Sequence, residues 1–344
     1  MIAEWETQSG VLIAWPHANT DWGPVLDQVE PVYAELVAAI VRYESVLVCC
    51  FDLAHRNHIM SFLAERKIRS DRIFYSALPF NDTWIRDYGP LSTLQDGAPK
   101  LVKFGFNGWG NRFDARLDNQ VTNRLVDRGS FGDTPMVSAE DWILEGGSID
   151  TDGAGTLLTT TSCLTADNRN GTHDRQYIEH RLRETLGIRR MLWLDHGYLA
   201  GDDTDGHVDV LARFCNPSTI CHVICQDAQD AHFDALNKMV NQLQHFRQCN
   251  KEAYRLVPLP IPKPIFNQLG QRLPASHANF LIINRAVIVP IYDDVSDDIA
   301  LKTLRTCFPN RDLIPIDARP LIQQGGGIHC ATMQVSAGVL LCNS

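Results

Sequence analysis

Short apolar segments typical of buried strands recur along the whole chain, mostly in pairs with one segment of helical spacing between them. The predicted strands are residues 11–15, 46–51, 72–75, 101–106, 155–160, 191–194, 208–214, 219–225, 280–283 and 286–290. The predicted helices are residues 25–43, 53–66, 177–186 and 231–245. The helices are few and short beside the strands. A unit that returns after about 65–70 residues favours a repeat architecture over a doubly wound sheet.

Length and charge limit what such a chain can do. It has 344 residues, 44% of them hydrophobic, enough for one large domain or two ordinary ones, and no Ser/Gly linker divides it. With 31 Lys and Arg against 41 Asp and Glu, the net charge is −10. That balance excludes a general nucleic-acid binder and weakly favours a cationic partner.

Nothing in the sequence predicts export or membrane insertion. The chain starts without a basic stretch followed by an apolar one, and no uncharged apolar run approaches the ~20 residues that span a bilayer. The longest candidate, residues 280–292, is interrupted by Asn284 and Arg285. We therefore expect a cytoplasmic protein. In that reducing compartment its ten cysteines are expected to be small buried residues rather than a disulfide framework.

Five short segments combine charged residues with glycine or aromatic residues, and these are the candidates for chemistry. They are residues 81–90, 142–150, 201–209, 274–280 and 325–330. Some have structural alternatives. The first segment also fits a turn-rich loop with a local Arg–Asp pair, and the second fits a strand end with a solvated Glu145. The fourth fits a strand entry at which Asn279 bonds the neighbouring backbone.

The third segment holds four aspartates and one histidine within residues 202–209, a density that a purely structural role rarely needs. If the chain is extended from residue 205 onward, Asp205, His207 and Asp209 share one face. Carboxylates beside an imidazole raise its basicity and fix its tautomer. The segment fits either a metal site or an acid/base histidine beside a cation-binding carboxylate.

The fifth segment delivers His329 and Cys330 after three glycines, which leave room beside the backbone and favour a reactive thiol. In an extended segment these two side chains face opposite ways, so His207 is a better base for Cys330 than His329. A further group, Cys215, Cys221, His222 and Cys225, lacks the paired spacing of zinc ligands, and we expect no metal there.

One thiol, one imidazole and several carboxylates suit a guanidinium substrate. Guanidinium is planar and binds carboxylates through paired hydrogen bonds, which would orient its poorly electrophilic carbon over a thiolate. The positive charge of the substrate would also stabilise that thiolate. A thiol protease, by contrast, needs only one orienting group beside its cysteine and histidine.

The ordered motifs resemble the agmatine deiminase family, which is related to bacterial peptidylarginine deiminases. They are NDTWIRD at 81–87, FNGWGN at 106–111, EGGSID at 145–150, DDTDGHVD at 202–209 and GGGIHC at 325–330. The resemblance extends over essentially the whole chain, from Glu4 to Cys330. It implies a pentein fold, which is a five-bladed α/β propeller of ββαβ-type units with pseudo-fivefold symmetry. Because all five motifs must then meet at one site, residues 1–344 are expected to form a single domain.

The resemblance also implies roles for individual residues. Cys330 is the expected nucleophile and His207 the expected acid and base, while Asp87 and Asp209 would hold the guanidinium and Glu145 would support His207 or the substrate. Further substrate contacts are expected from Trp84, Trp109, Asp205 and Gly327. The implied reaction is hydrolysis of agmatine to N-carbamoylputrescine and ammonia through a covalent amidino-cysteine, with neither a metal nor an organic cofactor.

Several alternatives remain open at this stage. His277 stands where the family usually has tyrosine, and Gly206 follows Asp205, so another guanidine such as arginine, methylarginine or peptidyl arginine is a competing substrate. Two less favoured hypotheses belong to other classes of protein. One is a metal-dependent hydrolase built on residues 202–209, and the other is a propeller that only binds polyamines or a protein. Asp114 and Asp118 are guesses for the site of the distal ammonium. The sequence does not decide whether the protein forms homo-oligomers.

Overall fold

The strands of this protein form five small sheets. The structure is a computed structural model that describes residues 1–69 and 71–340. The strands in that part of the chain are β1 (Gln8–Ala14), β2 (Ser45–Cys50), β3 (Ile73–Ala77), β4 (Leu91–Gln95), β5 (Ala98–Gly105), β6 (Met136–Ile143), β7 (Ile149–Thr151), β8 (Thr156–Thr160), β9 (Arg190–Leu194), β10 (Ala212–Asn216), β11 (Thr219–Ile224), β12 (Arg255–Pro260), β13 (Leu281–Ile283), β14 (Ala286–Ile291), β15 (Asp312–Asp317) and β16 (Thr332–Ser336).

Helices connect these strands or shape the loops between them. The α-helices in the same part of the chain are α1 (Leu26–Ile40), α2 (Leu53–Glu65), α3 (Ile85–Tyr88), α4 (Gly108–Asn111), α5 (Val121–Asp127), α6 (Thr161–Leu164), α7 (Asp167–Asn170), α8 (Arg175–Leu186), α9 (Phe233–Leu243), α10 (Val295–Cys307) and α11 (Arg319–Ile322). Short 3₁₀ turns lie at Gly23–Val25, Asp118–Gln120, Gly146–Ser148 and Val208–Val210.

Four sheets repeat one topology. In β4-β5-β6, β7-β8-β9, β10-β11-β12 and β13-β14-β15, the first two strands pair antiparallel and the last two pair parallel. Parallel neighbours need a crossover connection, and α5, α8, α9 and α10 supply it in the four sheets. Each unit is therefore ββαβ.

The fifth sheet joins the two ends of the described chain. Its order is β16-β1-β2-β3, with β16 antiparallel to β1 and β1 parallel to β2. Leu12 lies opposite Met333 in this pairing. The last strand thus takes the place that the first strand of each other unit occupies. This arrangement confirms the predicted pentein fold with five α/β blades.

The predicted segments agree with the structure except at one important place. Residues 208–214 were expected to form a strand, but Val208–Val210 is a 3₁₀ turn and the strand β10 begins at Ala212. Helix α10 escaped the sequence analysis, although Asp294 and Asp297 form a capping box and Ala300, Leu304 and Cys307 give its buried face. Among the described residues, no helix is both long and apolar enough to cross a membrane.

Most described cysteines are buried in the apolar interior, and all nine of them are free thiols, Cys330 included. The group that was rejected as a zinc site does not assemble as a whole. Cys215 and Cys221 meet, with their sulfurs 2.9 Å apart, whereas the thiol of Cys225 bonds the carbonyl of Asp227. The tenth cysteine, Cys342, lies outside the described residues.

Candidate active site

Four of the five residues expected to be catalytic line one cavity of about 560 Å³: Asp87, His207, Asp209 and Cys330. They come from distant parts of the chain. Asp87 lies on the short helix α3, Asp209 on the 3₁₀ turn that precedes β10, and Cys330 just before β16. Loops from separate blades therefore build this cavity, as expected for a propeller.

Gly147 shows how closely three of these groups approach one another. A Cβ atom built on Gly147 would lie 2.6 Å from His207 Nδ1, 2.9 Å from Asp87 Oδ1 and 3.1 Å from Asp209 Oδ2. All three side chains thus pack against the bare backbone of one residue. The two glycines of the second motif leave the space that brings them together.

Asp87 is buried and held by two donors. Its Oδ2 accepts a 2.9 Å hydrogen bond from Trp109 Nε1, and its Oδ1 accepts one of 2.9 Å from the backbone N–H of Gly147. Burial raises the pKa of Asp87, and the nearby His207 offsets part of that rise. The tryptophan and the glycine therefore fix the direction of this carboxylate.

His207 lies at the same end of the cavity, with Nδ1 3.7 Å from Asp87 Oδ1. Its backbone N–H donates to Thr204 Oγ1 over 3.0 Å, and its Nε2 is buried without a protein partner among the described residues. Burial alone would lower the pKa of His207, but Asp87, Cys163 and Glu145 raise it well above its ordinary value. These carboxylates therefore favour the charged, proton-donating form of the imidazole.

Glu145 lies behind His207 and does not line the cavity. Its carboxylate is fully buried, and both oxygens accept from Arg169 Nε, at 2.9 and 3.1 Å. Glu145, Cys163 and His207 bring potential ligand atoms within 4.8 Å of one another. Because Arg169 occupies both oxygens of Glu145, the arrangement is suited to supporting the histidine rather than to holding a metal.

Cys330 faces the carboxylates, and this buried position favours the protonated form of its thiol. Its sulfur lies 3.3 Å from Asn279 Nδ2 and 3.6 Å from Asp209 Oδ2. Burial raises the pKa of Cys330 well above its ordinary value, and the negative charges of Asp209 and Asp87 raise it further. A cation placed between these groups would reverse the effect of the two carboxylates.

Asn279 is a site residue that the sequence analysis took as structural. Besides contacting Cys330, its Oδ1 accepts a 2.9 Å hydrogen bond from the backbone N–H of His329. A Cβ built on Gly327 would lie 2.4 Å from that Oδ1. Gly327 was predicted to touch the substrate, but it does not line the cavity. Because Gly327 has no side chain, Asn279 can approach the segment that carries Cys330.

Arg86 joins the first motif to the fifth. The local Arg–Asp pair is not what the structure has, because Arg86 Nε donates to the carbonyl of His329 over 3.2 Å and Nη1 reaches Gln334. The backbone N–H of Arg86 also donates to the carbonyl of Cys330, at 3.2 Å. Arg86 is buried and positions the nucleophile segment against α3.

The third motif differs from its predicted geometry. Asp205 and Gly206 have φ of 66° and 94°, so the chain turns where an extended strand was expected. His207 and Asp209 still reach the cavity, but Asp205 does not line it and instead binds Arg112 and Arg169. Asp202 bonds Thr204. Asp202 and Asp205 thus have different partners, and the four aspartates of this motif do not converge as metal ligands.

His329 does not line the cavity, although residues 328–331 form a turn and not the extended segment from which its opposite orientation was predicted. Its Nδ1 lies 2.8 Å from Asp209 Oδ2, and its Nε2 lies 2.9 Å from Glu4 Oε2. Glu4 also binds Arg213 at 2.7 Å. No pattern near the start of the chain suggested that Glu4 would lie under the site.

The outer part of the cavity is acidic, with Asp21, Asp82, Asp202 and Asp203 in its lining. Burial raises the pKa of Asp82 to about 7, with Asp21 and Asp203 adding to the shift. The basic residue there, Arg272, is already bound by Asp230 through two 2.8 Å hydrogen bonds. This end of the cavity is suited to a cation.

The two aspartates suggested for the distal ammonium, Asp114 and Asp118, do not line this cavity. Asp114 is exposed and pairs with Arg116, and Asp118 accepts hydrogen bonds from the backbone of Asn81 and Asp82. His277 does not line the cavity either, because its ring is held between the carbonyl of Pro260 and Asp297.

Aromatic side chains form the walls between the two ends. Trp84, Trp109 and Phe113 line the cavity, in agreement with the positions expected for the two tryptophans. A Cβ built on Gly326 would lie 2.5 Å from the ring of Trp84, so this glycine leaves room for the indole. The walls fit an aliphatic chain, with charged groups at each end.

Known proteins share this architecture over almost the full chain. Agmatine deiminase of Stutzerimonas stutzeri is 33% identical, covering 98% of this chain and 95% of its own. A solved structure from Porphyromonas gingivalis, provisionally described as an arginine deiminase, is 43% identical, with a TM-score of 0.91 and 99% of each chain covered. Agmatine deiminase of Campylobacter jejuni, solved with substrate bound, is 37% identical, with a TM-score of 0.89 and 98% and 96% covered.

The match to a family model decides the membership. The model of the Porphyromonas-type peptidyl-arginine deiminases covers residues 1–336, which include all five motifs and the complete cavity. The blades, the converging polar groups and the sequence matches agree with one another. The chain therefore belongs to the Porphyromonas-type peptidyl-arginine deiminase family.

Proposed function

We propose that this protein hydrolyses agmatine to N-carbamoylputrescine and ammonia. The observation that carries the proposal is one cavity with two different ends. The inner end holds Cys330, His207 and two carboxylates, and the outer end is lined by four aspartates. Agmatine has a guanidinium and an ammonium joined by a short aliphatic chain, which matches this distribution of charge.

Asp87 and Asp209 are the proposed partners of the guanidinium. Asp209 has one oxygen bound by His329, while its Oδ1 is buried and has no protein partner among the described residues. A guanidinium could donate to that oxygen and to Asp87 from two edges of its plane. Its carbon would then lie over the sulfur of Cys330, and its charge would stabilise the thiolate.

The first half of the reaction forms a carbon–sulfur bond. Binding of the guanidinium displaces the thiol proton of Cys330 to solvent, and the resulting thiolate attacks the guanidinium carbon. His207 gives its proton to the departing nitrogen, so that ammonia leaves with the electrons of the broken carbon–nitrogen bond. The product is an amidino-thioether on Cys330. The raised pKa of His207 suits this donation, because the imidazole starts protonated.

The second half returns the enzyme to its starting state. Neutral His207 takes a proton from water, and the resulting hydroxide adds to the amidino carbon. The carbon–sulfur bond then breaks and the hydroxyl proton of the adduct passes to the departing sulfur, which releases the ureido product and restores the thiol. Glu145 supports His207 from behind, where Arg169 holds its carboxylate. We place this thiol chemistry in the cytoplasm, where free cysteines are maintained.

The acidic outer end favours agmatine over arginine. The α-carboxylate of arginine would meet Asp82, Asp202 and Asp203, and Arg272, the one arginine among the described lining residues, is already paired with Asp230. Relatives that are named agmatine deiminases support the same choice. The experiment is to compare kcat/KM for agmatine, arginine and an arginine-containing peptide. A higher value for either of the other two would overturn the assignment.

The covalent step has its own test. In a His207→Ala variant, ammonia release and hydrolysis should both slow, and a brief incubation with agmatine should leave an amidino adduct that mass spectrometry locates on Cys330. Cys330→Ser is the matched control and should carry no adduct. Activity that survived Cys330→Ser and disappeared in chelator would replace the thiol mechanism with a metal-dependent one.

A further inference from the structure

His329 lies between two buried carboxylates directly beneath the proposed nucleophile. Its Nδ1 is 2.8 Å from Asp209 Oδ2 and its Nε2 is 2.9 Å from Glu4 Oε2. All three side chains are buried, with exposed fractions of 2%, 0% and 5% for His329, Asp209 and Glu4. An imidazole that donates to carboxylates from both nitrogens must carry a hydrogen on each, which makes it a cation.

The surrounding groups continue this alternation of charge. Glu4 Oε2 also accepts from Arg213 Nη2 at 2.7 Å, and Arg213 Nε donates to Asp150 at 3.2 Å. Three carboxylates and two cations thus form one buried chain of contacts that runs from Asp209 in the third motif to Asp150 in the second. Each member has a partner of opposite charge, which is what burial of ionised groups requires.

We propose that His329 is a positioning residue, held as an imidazolium by Glu4, that keeps Asp209 ionised and turns one of its oxygens toward the substrate. The unpartnered Asp209 Oδ1 supports this reading, since His329 engages the other oxygen and Oδ1 stays buried and free to bind a cation. The proposal rests on the proposed function only in naming that cation as a guanidinium.

The charge of His329 can be tested without any substrate. In protein labelled with ¹⁵N-histidine, the ring signals of His329 are assigned by their loss in His329→Gln. Both nitrogens are expected at the chemical shifts of protonated imidazole in the unaltered protein, and the same signals should lose this character in Glu4→Gln. A neutral tautomer of His329 in the unaltered protein would overturn the proposal.

Kinetics tests the effect on Asp209. The titratable and charged groups that face this carboxylate are His329, His207, Arg213, Arg86, Asp87 and Cys330. Burial raises the pKa of Asp209, but His329, His207 and Arg213 outweigh it and hold the pKa below its ordinary value. In His329→Gln, Asp209 should protonate at higher pH. We expect kcat/KM to fall by about 100-fold near pH 7, with its acid limb displaced upward by about one unit or more.

His277→Gln is the matched control, because His277 is buried and bonds Asp297 over 2.9 Å but lies away from the cavity. It should lower stability and leave the pH profile of kcat/KM in place. If the acid limb of the pH profile of kcat/KM stayed in place in His329→Gln, His329 would have only a packing role. If the unaltered protein failed to act on agmatine, the proposed function would fall, whereas the ring signals of His329 would still decide this proposal.

Discussion

Gly147 is the residue on which the geometry of the site depends most directly. Its missing side chain leaves the space shared by His207, Asp87 and Asp209, and its N–H binds Asp87. Gly147→Ala should push at least one of these groups away by a few tenths of an ångström or more. We expect kcat/KM to fall by about 100-fold or more while the protein stays folded, since small misplacements of catalytic groups are costly.

The control for this substitution is Gly129→Ala. Gly129, unlike Gly147, has a positive φ, of 72°, but a Cβ there would meet nothing within 4 Å. A small loss of stability with unchanged kcat/KM is expected, because only the left-handed backbone is strained. Equal activity in Gly147→Ala and the unaltered protein would mean that the three groups need not lie as close together as the structure has them.

Asp82 gives the outer end of the cavity a pH dependence. Because burial and the neighbouring Asp21 and Asp203 raise its pKa to about 7, Asp82 is neutral below that pH and a carboxylate above it. Attraction for the ammonium of agmatine should therefore grow as pH rises from about 6 to about 8. We expect KM for agmatine to fall about 3- to 10-fold over this range.

Two comparisons isolate this effect from the ionisation of His207 and Cys330. An alkylguanidine of the same length without the ammonium should show no such fall in KM. Asp82→Asn should raise KM for agmatine at pH 8 and remove most of its dependence on pH. A KM for agmatine that rises between about pH 6 and about pH 8 would rule out Asp82 as an ammonium partner.

At the scale of elements, Arg169 ties helix α7 to two motifs at once. It binds Glu145 of the second motif and Asp205 of the third, and it donates to the carbonyl of Thr204. Arg169→Gln would leave Glu145 buried without its counter-charge, which costs about 3 kcal/mol or more of unfolding free energy. Chemical denaturation should detect this loss, and kcat should fall because the turn before His207 loosens.

An exposed ion pair provides the comparison for Arg169. Arg181 pairs with Asp141 at the surface, where the carboxylate is 74% exposed, so Arg181→Gln should change stability by less than about 1 kcal/mol. Were Arg169→Gln as mild as Arg181→Gln, the buried pair would not be what holds α7 to the motifs.

The segments predicted from local sequence overlap ten of the sixteen strands and four of the eleven α-helices in the described part of the chain, but the special turns were not predicted. The strand β11 follows from its apolar run, and the helix α8 follows from apolar residues at helical spacing. The turn at Asp205 does not, since an aspartate with positive φ is fixed by its ion pairs with Arg112 and Arg169, which lie far away in sequence. The same reason hid Asn279, whose partners are set by the folding of other blades.

At the scale of the whole molecule, the motifs predicted which residues form the site. The pairing of the last strand, β16, with the first, β1, explains how the fifth motif reaches the others. Residues 8–13 pair with residues 332–336, so the segment carrying Cys330 is anchored by the first strand of the chain. That pairing also brings Glu4 beneath the site. No local pattern encodes contacts between residues more than 300 positions apart, such as Glu4 with His329. Sequence could identify the reacting groups but not the buried charges that position them.

The net charge of −10 and the acidic outer end of the cavity should together affect how fast a cationic substrate is captured. A doubly charged cation such as agmatine should be attracted at long range, and salt should screen this attraction. We expect kcat/KM for agmatine to fall by about 5-fold between roughly 0.02 and 0.5 M NaCl, and to fall less for the singly charged alkylguanidine. In a variant carrying Asp202→Asn and Asp203→Asn the slope should flatten, because the charges nearest the entering ammonium are gone. If kcat/KM for agmatine were independent of salt, the acidic balance of the chain would have no part in capturing its substrate.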